Sequence, residues 1–197
     1  MRQFLMILSL VAGLLTPMTA YAAEPNTGYT FLGDSRTVGM DSAVSLSDMD
    51  DVFVVAECGM GYDWMIETGL PEVQDIMKDH PEYEEWKLIT NLGINDVCCS
   101  AGNYMEAYEE LLDDITIYVV SVNPCKGTYK DLNRYVVAFN KELKDSGFTY
   151  IDTWSVLNEE GFDSRDGLHY DKETYKLIFN IIAEETGCGK DYEGKTK

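Results

Sequence analysis

Five stretches of this chain are apolar at consecutive positions: Tyr29 to Leu32, Val52 to Ala56, Trp86 to Asn91, Ile115 to Val122 and Phe148 to Ile151. Strands that do not alternate bury both faces, which is the habit of a parallel sheet covered by helices. Between them the apolar positions recur at helical spacing. Trp64 to Lys78 and Asn103 to Asp113 read as helices, and Leu132 to Lys144 puts Leu132, Tyr135, Val136, Phe139 and Leu143 on one face with Gly147 closing it. Tyr170 to Glu185 reads as the final helix, with Tyr175, Ile178, Phe179 and Ile182 together. Strand then helix, repeated five times, predicts a doubly wound α/β fold: a three-layer α/β/α sandwich around a five-stranded parallel sheet. Such sheets bind ligands outside the carboxyl ends of their strands. No internal repeat, Pro-rich linker or low-complexity segment interrupts the pattern, so residues 24–197 read as one domain.

Residues 1–23 follow a different pattern. A short basic start (Arg2) leads into the apolar run Phe4 to Leu15, then Thr16, Pro17 and the small-residue stretch Ala20, Tyr21, Ala22, Ala23. This is the order of a secretory signal, with a run too short to span a bilayer comfortably. Cleavage after Ala22 or Ala23 is expected, leaving an extracytoplasmic protein without a stable membrane anchor. No cysteine follows the run at a lipoprotein position.

The remaining composition is that of a globular protein, with 45% hydrophobic residues among 197. Fifteen Lys and Arg against 35 Asp and Glu leave a net charge of -20. Such a surface repels phosphate backbones and anionic headgroups, so nucleic acid and anionic membranes are poor partners and a neutral small-molecule substrate fits better. Five cysteines, Cys58, Cys98, Cys99, Cys125 and Cys188, include no C-x-x-C pair, and only two histidines accompany them, so no zinc site is expected. One disulfide from Cys98 or Cys99 to Cys125 is compatible with an exported chain.

Polar motifs stand at the ends of the apolar runs. Gly33 to Arg36 (GDSR) follows strand one, Glu57 to Tyr62 (ECGMGY) strand two, Asn91 to Asp96 (NLGIND) strand three, and Ser121 to Cys125 (SVNPC) strand four. Asp166 to Tyr170 (DGLHY) lies in the loop after strand five. Ser35 sits at a strand-to-helix turn, where unsatisfied N–H groups and the positive end of the helix dipole face it. A serine hydroxyl still needs a base. His80, in the charged segment HPEYEE, reads as a surface residue. His169 lies three residues after Asp166, a spacing that lets the carboxylate accept from Nδ1 and leaves Nε2 for Ser35. The backbone N–H of Ser35, a glycine N–H after strand two and the side chain of Asn95 are candidate donors to a developing oxyanion. No metal or organic cofactor is needed for such chemistry.

On GDS at 33–35, the glycine segment at 59–61, GIND at 93–96 and DGLH at 166–169, the chain resembles the SGNH hydrolases, also called GDSL esterases, over nearly all of residues 24–197. The resemblance implies a flavodoxin-like SGNH hydrolase fold, with Ser35 as nucleophile, His169 as base, Asp166 as its orienting acid, and Asn95 with a glycine completing the oxyanion hole. Gly61 is preferred because a helix begins directly after it, with Gly59 as the alternative. Arg36 replaces the usual leucine; it is expected either to hold a substrate carboxylate or to pair with a nearby aspartate. Tyr62, Trp64 and Trp154 are aromatic candidates for stacking on a sugar or for core packing. The expected activity is hydrolysis of short acyl esters, acetyl on carbohydrate first. Acyl transfer to a glycan hydroxyl, lipase or thioesterase action, and a non-catalytic glycan-binding protein are the alternatives.

Overall fold

The Val- and Ile-rich runs form the expected sheet. A computed structural model describes residues 25–110 and 115–190; the expected signal segment and the end of the Asn103 to Asp113 helix lie outside the described residues. Strands β1 (Thr27–Gly33), β2 (Val52–Ala56), β3 (Glu85–Asn91), β4 (Thr116–Val120) and β5 (Thr149–Ile151) are all parallel, in the order β2-β1-β3-β4-β5. Neighbouring residues on one strand face opposite layers. Leu32, Leu88 and Val119 join one core with Val73, Tyr108 and Phe139, while Phe31, Ile89 and Val120 join a second with Met40, Tyr175 and Phe179. Two cores on two faces of one sheet are the three-layer sandwich.

Helix α1 (Ser35–Val44) starts directly after β1 and packs with the carboxyl-terminal helix α7 (Lys172–Thr186) in the second layer. Helices α2 (Tyr62–Trp64), α3 (Leu70–Asp79), α4 (Gly102–Glu109) and α5 (Asn133–Asp145) form the first. Helix α6 (Thr153–Glu160) follows β5 directly.

Three departures from the sequence expectation have local causes. The run from Trp64 to Lys78 is not one regular helix: a π turn at Met65–Gly69 separates α2 from α3, and Pro71 stands at the start of α3, where its missing N–H removes a bond that a continuous helix would make. Strand β4 ends at Val120 rather than Val122 because Asn140 on α5 brackets Val122, accepting from its N–H at 2.7 Å and donating to its carbonyl at 2.9 Å. Helix α6 occupies what reads as loop in the sequence; Asp152 caps it by accepting from the Ser155 N–H, and Gly161 ends it.

The chain winds from β1 outward to β2, then returns to the other side of β1 for β3. The switch point of the sheet therefore lies between β1 and β3, so the motif after β1 and the motif after β3 face each other across it.

Candidate active site

Asp34 follows β1 and caps α1, its Oδ1 accepting from the Arg36 N–H at 2.9 Å. This cap makes Ser35 the first helical residue, with a backbone N–H that has no intrahelical partner. From the opposite side comes the loop between α6 and α7. Here Asp166 Oδ1 accepts from the N–H groups of Leu168 and His169, both at 2.8 Å, while Oδ2 meets His169 Nδ1 at 2.7 Å. A carboxylate only accepts, so Nδ1 carries the proton and the lone pair of Nε2 is left facing outward. Nε2 lies 2.9 Å from Ser35 Oγ. Asp166, His169 and Ser35 thus form one chain of hydrogen bonds. The backbone N–H of His169, then its ring and the Leu168 N–H, hold the Asp166 carboxyl well below the usual carboxylate range.

On the other flank of Ser35, Asn95 lies in a short 3-10 turn, Ile94–Asp96, after β3. The Asn95 amide donates to the Met60 carbonyl at 2.7 Å and, through a long and weaker contact of 3.5 Å, to Asp34 Oδ2. Neighbouring Asp96 accepts from the Tyr62 N–H and the Tyr104 hydroxyl, both at 2.6 Å, and so clamps the Gly59–Tyr62 segment. The two glycines differ. A Cβ on Gly61 would run into the Asp96 carboxylate, whereas one on Gly59 would meet open space, although its φ of 80° is one that side chains rarely adopt. Gly61 is the position where the backbone must come close.

Beside Gly61 opens a cavity of about 540 Å³, lined among others by Tyr62, Trp64, Asp96, Ser100, Asn103 and Tyr104. Tyr62 meets Tyr104 edge to face with centroids 5.3 Å apart, and Trp64 is half-buried, packing on the core while lining the cavity. Trp64 therefore serves both the core and the cavity wall. Trp154 does not line this cavity; it lies on α6 against the core. A cavity of about 580 Å³ sits at the other end of the sheet, against Thr27, Tyr29 and Asp51, away from Ser35.

The expectation for Arg36 is corrected. The residue is 2% exposed and makes no ion pair with a carboxylate among the described residues, and its side chain does not reach outward for a substrate. Its guanidinium instead donates to the carbonyls of Leu168 and Asn123 and to Cys125 Sγ. The expected disulfide is corrected as well: all five cysteines are free, Cys125 buried against Arg36 while Cys98 and Cys99 are exposed. His80 is a surface residue as expected, its Nδ1 2.9 Å from Glu82. Among the described residues no cluster of His, Cys, Asp or Glu is placed to hold a metal, and no helix is long and apolar enough to cross a membrane.

Asp34 and Asp96 stand in the GDS and GIND motifs, yet the sequence assigns neither a role. Burial pushes the Asp34 carboxyl up to about 6, against the opposing pull of the Arg36 N–H and guanidinium. The unfolded chain releases that proton near 3.8. Native Asp34 therefore binds more protons than the unfolded chain between these values, and stability falls as pH rises through them. Asp34→Asn keeps a capping side chain and removes the titration. Its stability relative to the parent should rise from about pH 4 to about pH 7 and then level off, read from urea midpoints. A constant difference across that range would contradict the assignment.

A family model, GDSL-like lipase/acylhydrolase, matches residues 29–182. Comparison with curated proteins returns no match. Among solved structures, the chain is similar to the C-terminal catalytic domain of Streptococcus pneumoniae peptidoglycan O-acetyltransferase A, at 15% identity and a TM-score of 0.60 over 85% of this chain and 96% of that one. It is also similar to a member of the lipolytic G-D-S-L family from Veillonella parvula, at 16% identity and a TM-score of 0.58 over 81% and 97%. At such identities the likeness shows a common fold. Together with the family match over most of its length, it establishes that the chain belongs to the GDSL-like lipase/acylhydrolases, the SGNH hydrolase family.

Proposed function

We propose that this protein is an exported serine esterase that removes short acyl groups, acetyl first, from carbohydrate through an acyl-enzyme on Ser35. The observation that carries this reading is the chain Asp166 Oδ2, His169 Nδ1, His169 Nε2, Ser35 Oγ, with contacts of 2.7 and 2.9 Å. His169 takes the Ser35 proton as Oγ attacks the ester carbonyl, and Asp166 stabilises the imidazolium that results. The oxyanion forms beside the N–H groups of Ser35 and Gly61 and the amide of Asn95, which exchanges its long 3.5 Å contact with Asp34 for the developing charge. His169 then gives its proton to the leaving alcohol. Water, deprotonated by the same imidazole, attacks the acyl-enzyme and regenerates the serine.

Hydrolysis rather than transfer is supported by an open site: the side chains of His169 and Asp166 are 34% and 51% exposed, so water reaches the acyl-enzyme freely. Carbohydrate is supported by the cavity beside Gly61, where the half-buried faces of Tyr62 and Trp64 stand near the hydrogen-bonding groups of Ser100 and Asn103. The test is a series of chromogenic esters of increasing acyl length, followed by acetylated oligosaccharides with product analysis. Turnover falling steeply beyond short acyl chains, with free acetate released from the oligosaccharide, is expected. Preference for long chains would point to a lipase, and acetyl recovered on an added glycan acceptor to a transferase.

The oxyanion assignment separates the two glycines. Gly61→Ala should lower kcat by about 10²-fold or more, because the added methyl must displace Asp96 and with it the Gly61 N–H. Gly59→Ala should cost about 1–2 kcal/mol of stability through its left-handed backbone, with a much smaller kinetic effect. The reverse ranking of kcat would move the donor to Gly59.

A further inference from the structure

Arg36 is a buried charge next to Ser35 that the proposed chemistry does not use. Among the described residues its guanidinium forms no ion pair in contact with a carboxylate: Nε donates to the Leu168 carbonyl at 3.1 Å, Nη1 to the Asn123 carbonyl at 2.8 Å, and Nη2 to Cys125 Sγ at 3.3 Å. Its carbon Cζ lies 5.1 Å from the centroid of the Tyr170 ring. These partners belong to two separate loops. Asn123 and Cys125 follow β4, and Leu168 and Tyr170 flank His169 in the loop before α7. The loops also bind each other, through Tyr170 hydroxyl to Pro124 carbonyl at 2.7 Å and Lys126 N–H to Gly167 carbonyl at 2.8 Å.

From these contacts we infer that Arg36 is the positioning residue for the base: it fixes the peptide immediately before His169 relative to the residue immediately after Ser35. Ser35 and His169 are 134 positions apart in the chain. Helix α1 carries Ser35 and Arg36 as neighbours, so any shift of the helix moves hydroxyl and guanidinium together. Leu168 is held from both sides, its N–H by Asp166 and its carbonyl by Arg36. The imidazole thus follows the hydroxyl, and the Nε2 to Oγ distance is kept. Three acceptors around one planar guanidinium call for a rigid fork; the lysine ammonium, a point charge on a flexible stem, cannot meet all three. The inference rests on the reading of Ser35 and His169 as nucleophile and base, and deepens it.

The test is Arg36→Lys in the full chain, assayed on a short-chain chromogenic ester, with kcat expressed per Ser35 titrated by a sulfonyl fluoride. Small misplacement of a catalytic group costs rate rather than binding, so kcat should fall about 10- to 100-fold with KM within about threefold. A raised KM at unchanged kcat would make Arg36 a substrate contact and overturn the inference. Parent-like values for both constants would overturn it too, by leaving the guanidinium a purely structural part. Should the lysine variant not fold, Cys125→Val removes one acceptor and Cys125→Ser keeps it; the valine variant should turn over several-fold more slowly than the serine variant at similar KM, and equal rates would overturn the inference. If Ser35→Ala cleaved the ester as fast as the parent, the nucleophile reading itself would fail, whatever Arg36 did.

Discussion

Ser35→Ala is expected to lower kcat by about 10⁴- to 10⁶-fold on a short-chain ester while leaving the fold in place. The size follows from covalent catalysis: without Oγ there is no acyl-enzyme, and only binding and oxyanion donors remain to act on a water-borne reaction. The fold survives because, among the described residues, the Ser35 side chain contributes one hydrogen bond, to His169, at a half-buried position, whereas the cap of α1 belongs to Asp34. Thermal midpoints of parent and variant should agree within about 2 °C, a check that separates lost chemistry from lost structure. Covalent labelling by a sulfonyl fluoride should vanish in the same variant. Turnover within tenfold of the parent would remove Ser35 from the reaction.

Much of this site is legible in the amino-acid sequence because its parts are local there. Asp166 and His169 sit three residues apart, so their pairing follows from spacing, and Ser35 and Asn95 each follow a strand whose apolar run marks its end. The strands are legible for the same reason: Phe31 and Leu32, or Leu88 and Ile89, are both buried because the sheet is covered twice. Arg36 is illegible because its partners are mostly main-chain carbonyls, which carry no residue signature, and lie about 90 to 130 positions away in loops that only folding brings together. The same holds for Asp96, whose clamp on the Tyr62 N–H depends on the switch point between β1 and β3 rather than on any local pattern. Helix α6 is signalled by Asp152 and Gly161 at its ends, but its short apolar content, chiefly Leu157 and Val156, does not stand out from a loop.

The second large effect is expected at Asp166. Its two oxygens have distinct tasks: Oδ1 accepts from two backbone N–H groups and Oδ2 accepts from the imidazole. In Asp166→Asn the amide must choose an orientation. Placing its NH2 against the Leu168 and His169 N–H groups would set donor against donor twice, so the amide oxygen takes the Oδ1 position and the NH2 faces Nδ1. A donor facing Nδ1 makes that nitrogen the acceptor and moves the ring proton to Nε2. Nε2 then donates to Ser35 Oγ instead of receiving from it, and the base is lost although no atom has moved far. By this route kcat should fall about 10³- to 10⁴-fold. Because the loop keeps its two backbone hydrogen bonds through the amide oxygen, stability should drop by no more than about 1 kcal/mol. A crystal structure of the variant with an unshifted imidazole, together with the kinetic loss, would assign the effect to tautomer rather than to position. Activity within tenfold of the parent would mean that His169 does not depend on Asp166 for the placement of its proton.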